Sequence, residues 1–219
     1  MNINPACKNC NTPSIKYGTI NNKQRYRCKQ CHKTFVKEYS YPAYTIQNHQ
    51  IKTLLVEGCG MRSIARILHI AVSTVLRRII NLAASISKPI LSYHKEYEMD
   101  EMCTYIQKKN RQYWIAYAIR KDTKEVADFT VGKRTNKTLQ QVTSTLLFAE
   151  AKNIHTDRLP SYNRLIPSEI HHNRKNGTNH IERKNLTLRT HLKRLGRRTI
   201  CFSKTLHMLI ACLKLYFWS

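Results

Sequence analysis

The stretch Glu98-Met99-Asp100-Glu101-Met102-Cys103-Thr104-Tyr105-Ile106 decides how this chain is read. From Met102 onward apolar and polar residues alternate, the period of a strand with two different faces. Two more such runs follow at 113–119 and 126–131, separated by the polar segments 108–111 and 121–124. Three strands joined by short turns predict an antiparallel meander, closed by Gly132-Lys133-Arg134-Thr135. Residues 138–152 carry a helical pattern with Leu139, Val142, Leu146 and Phe148-Ala149 as apolar positions. Residues 154–157 then read as a fourth strand, reached by a helical crossover and hence parallel to the first. Asp100 and Asp157 fall on neighbouring strands near the centre of this sheet. Beyond Ser161-Tyr162 and a loop rich in Asn, His and Arg, a long helix is expected from Thr178. Its stripe Ile181, Asn185, Leu188, Leu192, Leu195 would face the sheet, with Glu182 beside the stripe in the first turn. Residues 206–217 read as a last buried helix.

The composition names a class of partner. The 219 residues include 38 Lys and Arg against 13 Asp and Glu, a formal net charge of +25. The excess is not a tail: residues 1–99 carry +11 and residues 100–219 carry +14. With 42% hydrophobic residues this implies a folded protein with a polyanionic partner, nucleic acid before a ribosomal or membrane-surface role. No stretch is long and apolar enough to span a bilayer, and the N-terminus lacks the pattern of a secretory signal. The eight cysteines are therefore expected as thiols or metal ligands rather than disulfides.

Four of them form two CxxC pairs, Cys7/Cys10 and Cys28/Cys31, with 17 residues between the pairs. Zn²⁺ takes four soft ligands in a tetrahedron, and each CxxC turn aims two thiolates at one point. The segments flanking Asn21-Asn22 read as hairpin strands, so residues 1–40 are expected to be a zinc ribbon whose folding depends on the metal. A redox CxxC is the competing reading. After the linker Ser40-Tyr41-Pro42, residues 41–92 are helical. Ile51, Leu54 and Leu55 mark one helix, Gly58-Cys59-Gly60 breaks it, and residues 61–68 form a second. The turn His69-Ile70-Ala71-Val72 leads to a third helix, capped by Ser73-Thr74. With small Ala65 at the packing point this predicts a helix-turn-helix, placing Ser73, Thr74, Arg77 and Arg78 nearest DNA. An ordinary three-helix packing unit fits the same pattern.

In so basic a chain, the acids Asp100, Asp157 and Glu182 call for a reason. Phosphodiester cleavage uses two Mg²⁺ or Mn²⁺ ions about 4 Å apart, and hard cations take oxygen ligands. Simpler readings exist for each: a loop or cap acid, a turn former before Pro160, and a first-turn acid favoured by the helix dipole. Arg183, Lys184, Arg189 and Lys193 are candidates to hold a DNA backbone, or merely a solvated face.

Several motifs resemble the transposases of the IS1 insertion-sequence family. They are Asp100-Glu101-Met102, Lys108-Lys109, Trp114 with Tyr117-Ala118, and Gly132-Lys133-Arg134-Thr135. Thr156-Asp157 with Tyr162, the run from Ile181 through Arg189, and the run from Lys193 through Lys204 extend the likeness, as do the leading ribbon and helix-turn-helix. The family usually has an aromatic residue at Cys103 and a small one at Arg158. The resemblance implies a multidomain α+β chain whose residues 93–219 form an RNase H-like α/β catalytic domain on a mixed five-stranded sheet. It also implies an Asp-Asp-Glu triad, here Asp100, Asp157 and Glu182, with 24 residues between the last two. The activity expected is recognition of terminal inverted repeats, metal-dependent cleavage freeing a 3′-hydroxyl, and attack of that hydroxyl on target DNA. A dimer or larger assembly in the bacterial cytoplasm, at the nucleoid, would act on two ends. Family members are often joined by frameshifting, and this chain resembles the joined form. The competing function is a zinc-dependent DNA-binding regulator without catalysis.

Overall fold

The computed structural model describes residues 4–37, 44–174 and 177–218; the linker expected at 40–42 lies outside them. By packing, the chain falls into two compact units, Met1–Tyr44 and Thr45–Ser219. No single helix among the described residues is long and apolar enough to cross a membrane.

The first unit is a three-stranded antiparallel sheet, β1 (Ser14–Ile20), β2 (Lys23–Cys28) and β3 (Thr34–Val36), in that order. Asn21 and Asn22 both take positive φ, 49° and 59°, which is the type I′ geometry whose twist matches a two-residue hairpin. Gly18, at φ 69°, sits where the β1–β2 register shifts, so the strand bulges at the residue that bears no Cβ.

The second unit begins with three helices, α1 (Tyr44–Val56), α2 (Met61–Ile67) and α3 (Val72–Ala84). The chain leaves α1 through Gly58 in the left-handed region, φ 81°. A Cβ there would stand 3.4 Å from the Thr190 carbonyl oxygen and 3.6 Å from that of His191, so glycine serves both the turn and the close approach. Between α2 and α3 the chain bends by 107°. His69 takes φ 51°, while the Ile70 N–H bonds the Ala65 carbonyl and the His69 N–H that of Arg66, a Schellman closure. The expected cap is corrected here. Ala71 occupies the N-cap, no side chain caps α3, and Ser73 and Thr74 lie inside its first turn.

The sheet of this unit has five strands in the order β6-β5-β4-β7-β8. Strands β4 (Glu96–Tyr105), β5 (Gln112–Arg120) and β6 (Val126–Gly132) form the antiparallel meander. The crossover helix α4 (Asn136–Phe148), capped by the Thr135 hydroxyl, leads to β7 (Asn153–His155), parallel to β4. Asp157 stands just past the end of this short strand. Of the expected apolar pair Phe148-Ala149, Ala149 is buried as expected, whereas Phe148 is 70% exposed. A short helix α5 (Pro160–Leu165) and a fifth strand β8 (His171–His172) occupy the region read as loop, because Pro160 starts the helix and the β8 histidines extend the sheet by only two residues. Helix α6 (Asn179–His191) ends earlier than its sequence stripe. Leu192 turns extended, and a 3-10 turn at Lys193–Leu195 brings Arg194 and Leu195 inward. Helix α7 (Leu206–Phe217) is buried as expected.

The sheet separates two cores. On one side Tyr97, Met99, Ala116 and Ala118 meet α4 and α5. On the other, Met102, Ile115, Tyr117 and Ile119 share one cluster with α6, α7 and the three leading helices, including Ile51, Ile64, Val75 and Ile79. The helix-turn-helix segment is thus packed into the core of the sheet unit. Replacing the fully buried Ile79 by Ala should therefore destabilise all of residues 45–218 by about 2–5 kcal/mol. Urea unfolding followed both by far-ultraviolet circular dichroism and by Trp114 and Trp218 fluorescence should show one shifted transition; a shift in the helical signal alone would contradict a shared core.

Candidate active site

β4 carries three acids within four positions, and each meets a different environment. Glu98 and Asp100 lie on the α6 face of the sheet, Glu101 on the opposite face. The Glu98 carboxylate is buried, accepts the Ile181 backbone N–H at 2.9 Å and pairs with the His180 ring. It satisfies a donor that the first turn of α6 would otherwise leave free, and its charge suits the helix N-terminus. Glu101 is equally buried. It takes two guanidinium contacts from Arg134, at 2.8 and 3.2 Å, and the Tyr162 hydroxyl at 2.6 Å. Arg134 in turn lies 4.3 Å over the Trp114 ring.

Asp100 is only partly satisfied. One oxygen accepts the Glu101 backbone N–H at 2.8 Å and the other the Asn185 amide at 2.7 Å. Asn185 is itself oriented by the hydroxyl of Tyr117, the residue paired with Asp100 across β4 and β5, at 2.8 Å. Burial pushes the Asp100 carboxyl up to about 6, reinforced by the charges of Glu101 and Asp157 and opposed by the Glu101 amide and Asn185. Asp157 is exposed, its carboxylate accepting the Leu159 N–H at 3.0 Å in the turn before Pro160. The preceding Thr156 is buried, and its hydroxyl binds the Asp157 carbonyl and the His171 ring, fixing the backbone there.

Carboxylate oxygens of Asp100, Glu101 and Asp157 lie within 4.8 Å of one another, an acidic group that could hold a metal ion. Glu182, expected as the third member, is not in this cluster. It is exposed in the first turn of α6, its carboxylate accepting the Thr178 hydroxyl at 2.9 Å. It lies three positions before Asn185, so the two side chains leave α6 from neighbouring places. Glu98, Glu101, Arg134 and Asn185 were missed as site residues. Their signal was the acidic density of 96–101 and the resemblance of the segments around 134 and 185, neither of which indicates a partner.

The comparisons with known proteins bear on the same region. A family model described as IS1 transposase matches residues 96–216. The chain belongs to the IS1 transposase family. The insertion element iso-IS1n protein InsB of Shigella dysenteriae is 39% identical over 111 residues, covering 51% of this chain and 85% of that protein. The insertion element IS1 protein InsB of Shigella flexneri matches with the same identity and coverage. A chain in the cryo-electron-microscopy structure of the simian T-cell lymphotropic virus intasome with PP2A regulatory subunit B56 gamma is 18% identical, at a TM-score of 0.34 over 64% of this chain and 59% of that one. That likeness is too loose to carry an argument.

Transposases cleave DNA and transfer strands, and the remaining candidates are placed unevenly for contact with it. Ser73 and Arg77 are exposed on α3 and Thr74 partly so, whereas Arg78 is buried at 6% exposure. Arg183 and Lys193 are exposed. Lys184 is half-buried against the Lys124 carbonyl, and Arg189 turns inward to the Leu195 carbonyl at 3.0 Å.

In the first unit, the sulfurs of Cys7, Cys10, Cys28 and Cys31 lie within 4.8 Å of one another, with the Cys7–Cys31 pair at 3.6 Å and Cys10–Cys28 at 3.4 Å. Zn–S bonds of about 2.3 Å in a tetrahedron require sulfurs roughly 3.8 Å apart, so the four thiols fit a metal. The Thr12 hydroxyl, followed by the backbone N–H groups of Cys31 and Gln30, holds the Cys28 thiol down to about 5, the protonation state a metal ligand needs.

The raised Asp100 carboxyl sets a pH dependence. Its pKa is higher in the fold than in the unfolded chain, about 6 against about 4, so its ionisation costs stability as pH rises through that window. Without added divalent ion, Asp100→Asn should gain thermal stability over wild type between pH 4 and 6 and keep that gain above it. Identical pH profiles of the two melting temperatures would contradict the burial argument.

Proposed function

We propose that this transposase acts through an RNase H-like catalytic domain over residues 93–219, with Asp100, Asp157 and Glu182 as its metal-binding triad. The observation that carries the reading is the convergence of Asp100 and Asp157 from adjacent parallel strands onto one point. Two like charges so close, one of them partly buried, are stable together only with a proton or a cation between them. The donor set is oxygen only, which suits Mg²⁺ or Mn²⁺ rather than a softer metal. When bound, such ions would supply activation of the attacking oxygen and stabilisation of the leaving one.

The rest is the work of the chain itself. Tyr117 holds Asn185, and Asn185 holds Asp100, so the inner carboxylate has a fixed direction. Thr156 fixes the backbone that presents Asp157. Glu101, paired with Arg134 and hydrogen-bonded by Tyr162, contributes a packed wall. Glu182 has only the Thr178 hydroxyl to release before it can reach the cluster. Its position in the first turn of α6 depends on Glu98, which docks that turn on β4.

For binding, the outward residues of α3, namely Ser73, Thr74 and Arg77, are the proposed readers of the terminal inverted repeats; buried Arg78 supports the core. Arg183 and Lys193 are the proposed backbone contacts of α6. One structural Zn²⁺ on Cys7, Cys10, Cys28 and Cys31 would organise the ribbon over residues 1–40, and the helix-turn-helix segment 41–92 would complete the recognition half. Action on two ends would take a dimer or larger assembly, in the bacterial cytoplasm at the nucleoid.

A labelled duplex carrying the element's own end, incubated with Mg²⁺ or Mn²⁺, should be nicked at that end. Asp157→Asn and Glu182→Gln should each lower the rate by about 10²–10³-fold or more while leaving binding nearly intact. Specific binding with no nicking by wild type would replace this reading with a DNA-binding regulator. Cys28→Ser should release about one equivalent of zinc, unfold the ribbon and weaken end binding; the far-ultraviolet signal of the sheet unit should keep its own transition. Retention of zinc by that variant would remove the four-thiol site.

A further inference from the structure

The far end of β4 opens into a second pocket, of about 200 Å³, on the strand that carries Asp100. Arg189, Arg194 and Arg197 line it together with Cys103, Tyr105 and Phe202. No carboxylate lines it, and none among the described residues pairs with any of the three arginines. Arg189 spends one donor on the Leu195 carbonyl and buried Arg194 spends one on the Ser203 hydroxyl at 2.6 Å. Each guanidinium has five donors, so most of the hydrogen-bonding capacity is left over.

The walls are built rather than incidental. The loop after the 3-10 turn is stitched to β4 by the Ile106–Ser203 bridge and by the Gln107 N–H to the Ser203 carbonyl at 2.8 Å. Tyr105 and Phe202 meet edge to face at 5.7 Å and form an apolar side. Gathering three like charges at a partly desolvated place is costly on its own, and burial already lowers the Arg189 guanidinium, with Arg197 adding to it. An anion seated among them removes that cost.

We infer that this pocket seats one phosphodiester of the DNA strand, clamped by Arg189, Arg194 and Arg197. The inference rests on the reading that the chain acts on DNA. Its size supports it: about 200 Å³ is below the range of small-molecule sites and takes a phosphate with part of its sugar. Its chemistry does too, since guanidinium forks match phosphate oxygens in pairs. Cys103 stands three residues beyond Asp100, about 10 Å along a strand. At 3.4 Å per base pair, the clamped phosphate would lie about three pairs from the one being cut. The clamp would fix the strand's register relative to Asp100 and Asp157.

The test is a positional one, using the full chain and duplexes bearing the element's end with a single neutral methylphosphonate at successive positions. Wild type should lose roughly tenfold in affinity at one phosphate near the cut. Arg197→Ala, whose side chain is exposed and should leave folding undisturbed, should bind unmodified DNA roughly tenfold more weakly and be insensitive to the methylphosphonate at that one phosphate. Its slope of log affinity against log salt should fall by about 0.9. Lys152→Ala, an exposed charge removed elsewhere, should keep the wild-type positional profile. Normal wild-type binding with additive penalties at every position in Arg197→Ala would overturn the clamp while leaving the DNA reading standing. Failure of wild type to bind the end at all would overturn both.

Discussion

A central strand that must carry charge is the constraint on which this molecule turns. β4 is flanked by β5 and β7 and covered on both faces, yet it bears Glu98, Asp100 and Glu101. Isolated carboxylates cannot be buried at such a place without partners. The fold answers three times, each time with a different element. The N-terminal turn of α6 satisfies Glu98, and Arg134 with Tyr162 satisfies Glu101. Asp100 is left with an amide from Asn185, a backbone N–H and two acidic neighbours, and so carries the unresolved electrostatic strain. Two carboxylates have their charge answered by a helix N-terminus or a guanidinium, and the third is held only by neutral donors.

This division explains which parts of the site could be read in advance. The meander, the crossover and the parallel fourth strand followed from period-two alternation, turn residues and the length of the connection. Asp100 and Asp157 therefore came together as expected, since the topology alone makes their strands neighbours. Partners fixed by tertiary contact were not legible. Glu101 and Tyr162 stand 61 positions apart, and Asp100 and Asn185 stand 85 apart. No local pattern links them. The cap of α3 failed for a related reason: Ser73 and Thr74 are good N-cap residues, but the Schellman closure at His69 sets the phase of the turn. The helix therefore starts at Val72. Propensity proposed a cap, and the geometry of the preceding helix overruled it.

The leading helices show the same override at a larger scale. Sequence suggested a separate recognition unit at 41–92, and three helices are present there among the described residues, α3 starting earlier than expected. Their apolar faces, however, do not close on themselves. Ile51, Ile64, Val75 and Ile79 meet α7 and the sheet in one cluster, and Gly58 lets α1 approach the last turn of α6. Arg78 is drawn inward by that packing, while Ser73 and Arg77 stay outside. The exposed face of α3 is thus what remains after the core has taken its share. That face is joined to the sheet unit through packed side chains rather than through a linker.

Glu182 shows how far a static arrangement can go toward chemistry. It stands outside the cluster in which Asp100, Glu101 and Asp157 already share a few ångströms. A fourth carboxylate added to that group would add like-charge repulsion and gain nothing in return. The Thr178 hydroxyl gives Glu182 a single neutral hydrogen bond, far weaker than a contact to a divalent cation. Helix α6, which carries Glu182, is docked on β4 by Glu98 and tied to Asp100 by Asn185. A cation at the cluster would attract the Glu182 carboxylate, which is held at its present place by one neutral hydrogen bond.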